Sequence, residues 1–194
     1  MCSPEDVSSL SQAMIRACYH DPHWRLLWGS MSLELPRNLV KGRVFRCNRK
    51  AIDIATGEIV DYARWLLPEG EEMRCEEDQV EEPSTEQLKR YEALYDAYTV
   101  NGKIKGLNND IMESLTLDYI AVFPDRQKQG IGSVLLEDGI SVAEGAGLRT
   151  YVMSTPTRLK LYEGHGFVRL KTIIQDDFKW GSTEPHVNHF LVRE

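Results

Sequence analysis

No apolar run in this 194-residue chain approaches the roughly 20 residues that a membrane-spanning helix requires. The opening MCSPEDVSSL has no cationic stretch leading into an apolar core, so no secretory leader is read there. Cysteine is scarce. Cys2, Cys18, Cys47 and Cys75 lack the close spacing of metal ligands and the density of a disulfide framework, so reduced thiols are expected. Positive charge is in deficit, with 23 Lys and Arg against 30 Asp and Glu and a net charge of −7. That balance argues against direct nucleic-acid binding, while acidic groups around a cleft would favour a cationic acceptor. His20 with His23, and His186 with His189, supply no three-ligand set, so no metal is expected. No internal repeat is present. The expectation is one globular domain over residues 1–194, cytoplasmic or nuclear, without membrane insertion.

In the first half, Pro4 to Cys18 reads as a helix, with Val7, Leu10, Ala13, Met14 and Ala17 as its apolar stripe. Asp21-Pro22 interrupts it, and Trp24 to Trp28 continue as a helical turn or aromatic loop, with core packing the expected role of both tryptophans. Arg43 to Asp53 and Ile59 to Leu67 read as antiparallel strands joined at Thr56-Gly57. Arg64 on the second is read as a solvated or salt-bridged residue. From about 68 to 83, eight acidic residues oppose Arg74 alone, which predicts an acidic loop serving as a solubilising surface, a lid or a cleft wall. Ser84 or Thr85 caps a helix predicted to run to about Val100, ended by Asn101-Gly102.

The organising stretch is Leu115 to Ser133, LTLDYIAVFPDRQKQGIGS. Alternation over Leu115 to Phe123 predicts a strand, and Pro124-Asp125 closes it. Gly130 and Gly132 then open a helix that carries Leu136, Ile140 and Ala143 to Gly145 and Gly147. Unpaired backbone N–H groups at such a helix start suit an anion. Spacing rules out GxGxxG and GxxxxGK[ST], and a tight strand-to-helix turn is the competing reading. Beyond it, a strand is predicted over Arg149–Ser154, a short helix from about Thr157 to His165, a strand from Phe167, and an edge or closing strand over His189–Val192.

Gln127-x-x-Gly130-x-Gly132 resembles the acyl-CoA pyrophosphate signature of the GCN5-related N-acetyltransferase (GNAT) superfamily. Leu161-Tyr162-Glu163-Gly164-His165-Gly166-Phe167 is similar to that family's LYxxxGF segment, and Tyr62-Ala63-Arg64-Trp65 resembles a strand of its fungal small-domain members. The resemblance implies an α/β (α+β) fold: a mixed, mostly antiparallel twisted sheet flanked by helices, with a V-shaped splay between two central strands. The usual first strand is expected to be absent or very short, since only three residues precede Pro4.

The same resemblance implies acetyl-CoA, or another short acyl-CoA, as cofactor. Its pantetheine arm would lie along Tyr119, Ile120, Ala121 and Val122, and its pyrophosphate over Gln127, Lys128, Gln129, Gly130, Ile131, Gly132 and Ser133. Ser154 and Tyr162 would complete the cofactor site, with turn hydrogen bonding an equal alternative for Ser154. Tyr162 takes the implied role of general acid or thiolate stabiliser, against plain aromatic packing. The glutamate of histone-directed relatives corresponds to Thr116, so that carboxylate is missing. The histidine of arylalkylamine-directed relatives corresponds to Asp118, which is read as general base, amine binder or ordinary salt-bridge partner. The implied activity is acetyl transfer to an amine-bearing small molecule. The alternatives are a basic peptide or protein acceptor, and a noncatalytic acyl-CoA-binding or protein-interaction module.

Overall fold

The computed structural model describes residues 2, 6–28, 46–68, 99–100, 103–104 and 114–194. The acidic stretch from Glu69 to Pro83 and nearly all of the helix predicted from Ser84 lie outside these residues. Two helices come first, α1 (Val7–Cys18) and α2 (Pro22–Trp28). Asp21 separates them, and its Oδ1 accepts from the backbone N–H groups of His23 and Trp24, capping α2. Trp24 is buried, as its place on the apolar face predicts.

Strands β1 (Arg46–Ile52) and β2 (Ile59–Leu66) pair antiparallel, with Gly57 at φ 73° in the turn between them. β3 (Thr99–Val100) and β4 (Lys103–Ile104) form a separate two-stranded hairpin. This corrects the expectation of helix to Val100. Thr99 and Val100 pair with Ile104 and Lys103 as strand, and Asn-Gly is a strong hairpin signal, although Asn101 and Gly102 themselves lie outside the described residues. β5 (Leu115–Val122) leads through a 3-10 turn over Pro124–Arg126 into α3 (Ile131–Ala146). β6 (Thr150–Ser154), α4 (Leu159–Gly164), β7 (Val168–Gln175) and β8 (His186–Arg193) complete the chain.

The main sheet has the order β1-β2-β5-β6-β8-β7, antiparallel everywhere except between β5 and β6. The final strand is therefore internal, paired on both sides, and β7 takes the edge. The edge reading of His189–Val192 does not hold. Among the described residues no strand precedes α1; Cys2 alone donates its N–H to the Asn48 carbonyl, at 3.3 Å, where an outer strand would pair.

Two cores sandwich the sheet. On one face Ala63, Trp65, Leu117 and Ile120 pack with Leu135, Leu136, Ile140 and Ala143 of α3 and with Tyr162 of α4. On the other, Tyr62 and Ala121 pack against Leu10, Met14 and Ala17 of α1. Asp6 accepts from Lys50 Nζ at 2.6 Å and pins the start of α1 to β1. No helix among the described residues is long and apolar enough to cross a membrane. Cys2, Cys18 and Cys47 are free thiols, and burial pushes Cys18 up to about 11.

Candidate active site

β5 and β6 are the parallel pair, and their pairing covers only Leu115–Leu117 against Thr150–Val152. Beyond Leu117 and Val152 the strands diverge, which opens the predicted splay and leaves the Tyr119–Val122 edge of β5 facing a gap. A bulge adds to the divergence. Arg64 pairs with Tyr119 but Trp65 pairs with Leu117, so Asp118 is the extra residue on β5.

At the end of β5, the chain turns sharply. Gln127 Nε2 donates to the Val122 carbonyl at 3.2 Å, and Gln129 Nε2 donates to the Asp125 carbonyl at 3.3 Å. Arg126 pairs with Asp53 of the β1–β2 connection at 3.2 Å, bracing the loop from the far side. Lys128 and Gly130 both take left-handed backbone, at φ 61° and 83°. Gly130 is the N-cap of α3, and its side-chain position is open space. A Cβ on Gly132 would point at Val122 and Ile120 at 3.5 and 3.8 Å, toward the sheet and away from the ligand side. The N–H groups of the first turn of α3 thus lack intrahelical partners and have little side-chain bulk above them. This cradle and the free edge of β5 fit a diphosphate followed by an extended amide arm. In the predicted set, the glutamines brace the loop through carbonyls, while Gly130, Ile131, Gly132 and Ser133 supply the open amides.

Tyr162 lies on α4 beneath the splay, buried, with its ring edge-on to Phe167 at 5.8 Å between centroids. Burial pushes its phenol up to about 12, against a smaller opposing pull from Arg158. A phenol that holds its proton through neutral pH is suited to giving one to a departing thiolate. Ser154 is buried at the end of β6, and its hydroxyl donates to the Thr155 carbonyl at 2.8 Å, the turn role rather than a free one.

Asp118 does not stand alone. Arg64 donates to its Oδ2 from Nε at 2.6 Å and from Nη2 at 2.5 Å, and the same guanidinium lies 4.8 Å above the Tyr119 ring. The salt-bridge reading of Arg64 is thus the one realised. Both donors sit on Oδ2.

Three features had no sequence signal. Arg158, from the N-cap of α4, reaches across the gap and donates from Nη1 to the Ile120 carbonyl at 3.3 Å. Asp61, paired in register with Val122, is fully buried; its Oδ1 accepts the Tyr62 N–H at 2.6 Å, while Oδ2 has no hydrogen-bond partner among the described residues. Burial raises Asp61 to about 7, partly opposed by the Tyr62 hydrogen bond and by Arg158. The third is a union of His23, Asp177 and His186 at the same end of the sheet. The first and third join residues whose separation in sequence hides the contact, and the second rests on a burial that its own neighbourhood does not announce. Among the described residues no group of three His, Cys, Asp or Glu could hold a metal ion.

Residues 91–169 match the family model described as the Acetyltransferase (GNAT) domain. A search of curated proteins finds no match. Solved structures share the architecture. One is a histone acetyltransferase HPA2 and related acetyltransferase from Corynebacterium glutamicum, 22% identical, with a TM-score of 0.63 over 97% of this chain and 92% of that one. Another is the ribosomal-protein-S18-alanine N-acetyltransferase from Escherichia coli, 17% identical, with a TM-score of 0.58 over 98% and 88%. A third is a GCN5-related N-acetyltransferase from Kribbella flavida, 15% identical, with a TM-score of 0.57 over 99% and 94%. None of the three points to fungal members in particular. With the sheet order, the lone parallel pair and its splay, these likenesses show that the chain has the GNAT acetyltransferase fold.

Proposed function

We propose that this chain is an acetyl-CoA-dependent N-acetyltransferase that transfers the acetyl group to an amine by direct attack in a ternary complex. The observation that carries the reading is the coincidence of three things at one splay. These are an amide cradle at the start of α3, an open strand edge on β5, and a buried protonated phenol at Tyr162. Acetyl-CoA supplies an activated thioester carbonyl whose leaving group is a thiolate. The chain's own groups do the rest. Gly130 to Ser133 offer backbone donors to the diphosphate, and the Tyr119–Val122 edge offers peptide groups to the arm. Tyr162 holds the proton that the thiolate needs. Asp118, steadied by Arg64, offers a carboxylate to a cationic amine, so the amine-binding half of its expected role is better supported than the base half.

A small-molecule amine is the favoured acceptor, because Thr116 offers no carboxylate where histone-directed relatives carry one. A peptide or protein amine is the next candidate, in keeping with the alanine acceptor named for the Escherichia coli protein. A soluble setting in cytoplasm or nucleus suits either. A second reading, an acyl-CoA-binding module without turnover, is favoured by Arg158, which takes the Ile120 carbonyl that an extended arm would use.

A mass-resolved panel of small amines and basic peptides with acetyl-CoA tests the proposal. N-acetylated product with stoichiometric CoA release is expected. Acetyl-CoA binding with no product from any amine would replace the enzyme by the binding module.

A further inference from the structure

His23 lies in the first turn of α2 and His186 at the start of β8, yet their rings stack with centroids 3.6 Å apart and planes 10° from parallel. Asp177, fully buried just after β7, binds His23 Nδ1 through Oδ2 at 2.5 Å. Gln175 Nε2 donates to the other oxygen, Oδ1, also at 2.5 Å, and Gln175 Oε1 is buried without a hydrogen-bond partner among the described residues. A carboxylate only accepts, so Nδ1 is the donor, and in the neutral imidazole the lone pair is on Nε2. Among the described residues nothing pairs with that Nε2.

The charged and titratable groups around the dyad are Asp21, whose Oδ1 accepts the His23 backbone N–H, Asp177 from the β7–β8 connection and His186 from β8. Burial first, and His23 second, push His186 down to about 4, so it is neutral near pH 7 and sets no charge against its neighbour. Asp21, then Asp177 and Asn188, oppose that shift only in part.

The place in the fold matters as much as the contacts. Ser154, the last residue of β6, pairs with His189, and β8 runs antiparallel to β6. His186 to Asn188 therefore lie beyond the end of β6, on the side toward which β5 and β6 diverge. The dyad therefore lies at the end of the sheet toward which the splay opens.

We propose that His23 Nε2 is the proton acceptor for the amine, with Asp177 as the residue that positions it. The inference rests on the N-acetyltransferase reading above. The amine gives its ammonium proton to solvent and attacks as the neutral base; as its nitrogen bonds to the acyl carbon, it sheds one further proton to Nε2. The carbon–sulfur bond breaks, its electron pair stays on sulfur, and Tyr162 gives the proton that makes the thiol. Solvent then returns the proton from Nε2 to the Tyr162 oxygen, so one proton passes from amine to sulfur overall.

His23→Gln tests this, because the amide still donates to Asp177 but is no base. With an amine identified in the panel, kcat/KM is followed against pH, together with the thermal midpoint and the acetyl-CoA dissociation constant. The expected result is a kcat lowered about 100-fold or more, loss of the acid limb seen in the wild type, and an unchanged dissociation constant and midpoint. A wild-type kcat and pH profile in His23→Gln would overturn the assignment while leaving the enzyme intact. So would a loss of rate only in step with the midpoint and cofactor affinity, which marks a structural staple. Should His23→Gln not fold, Asp177→Asn decides: an unmoved acid limb overturns the proposal, and a displaced limb with lowered kcat supports it. No turnover by the wild type, with acetyl-CoA still bound, removes the enzyme reading and the proton acceptor together.

Discussion

Tyr162 and Asp61 are both buried acids, and burial raises both. Tyr162 stays protonated through neutral pH, as a donor to a thiolate must, although burial makes it the weaker acid. Tyr162→Phe is expected to slow single-turnover acyl transfer by roughly 100-fold, within the usual range for a lost general acid, while the acetyl-CoA dissociation constant stays the same. An equal transfer rate would leave Tyr162 as core packing against Phe167. Asp61 carries a cost instead. Its folded value near 7 lies above the unfolded 3.8, so the folded state binds the proton more tightly between them. The stability this lends is full below about pH 4 and is lost as pH rises through 7. Asp61→Asn keeps an oxygen for the Tyr62 N–H and removes the charge. Urea midpoints should therefore favour the variant increasingly from pH 4 to pH 8, and a constant difference would refute the buried charge. At this scale the sequence spoke only where a motif did. Tyr162 was legible through LYEGHGF, whereas His23 and Asp177 meet across 154 positions with nothing in either neighbourhood to announce the other.

At the scale of elements, β5 and α3 were legible because each has a clean period and a strong boundary signal, Pro124 for the strand and Gly130 for the helix. The sequence leaves the final strand as an edge or closing strand because alternation in HVNHFLVR reveals a pleat but not how many neighbours it has. Hydrogen-bond pairing on both sides of a strand is a tertiary fact. The same holds for Gly139, which looks like a weak point inside α3. A Cβ there would meet the Trp65 ring at 2.0 Å, so the glycine is what lets α3 lie on β2. Gly139→Ala is expected to destabilise by at least about 1–3 kcal/mol, the range for overpacking, read as a lower urea midpoint. A neutral result would mean that α3 does not close on Trp65. Gly130 acts through backbone instead. An alanine held at φ 83° costs about 1–2 kcal/mol. Gly130→Ala with Gly132→Ala should therefore raise the acetyl-CoA dissociation constant by reshaping the cradle, with Gly130 carrying most of the effect. Titration calorimetry showing unchanged affinity in a folded double variant would remove the loop from cofactor binding.

For the whole molecule, function rests on one departure from an otherwise antiparallel sheet. Parallel strands joined by a crossover helix can be paired at their starts and free at their ends, and β5 and β6 are paired only over Leu115–Leu117 and Thr150–Val152. α1 covers one face, α3 and α4 the other, and the helix that makes the crossover also delivers its amide-rich start to the mouth of the gap. The family resemblance carried this arrangement into the sequence reading; composition and periodicity alone reached only a mixed α/β domain. What they could not reach was Arg158 spanning the gap, because a cation at a helix start gives no sign of where its side chain ends. The most direct measurement is the crystal structure of the full chain with acetyl-CoA. The account predicts the diphosphate on the N–H groups of Gly130 to Ser133, the arm along Tyr119 to Val122 with Arg158 moved off the Ile120 carbonyl, and the thioester sulfur within reach of Tyr162. A diphosphate bound elsewhere, with Arg158 still closing the splay, would contradict it.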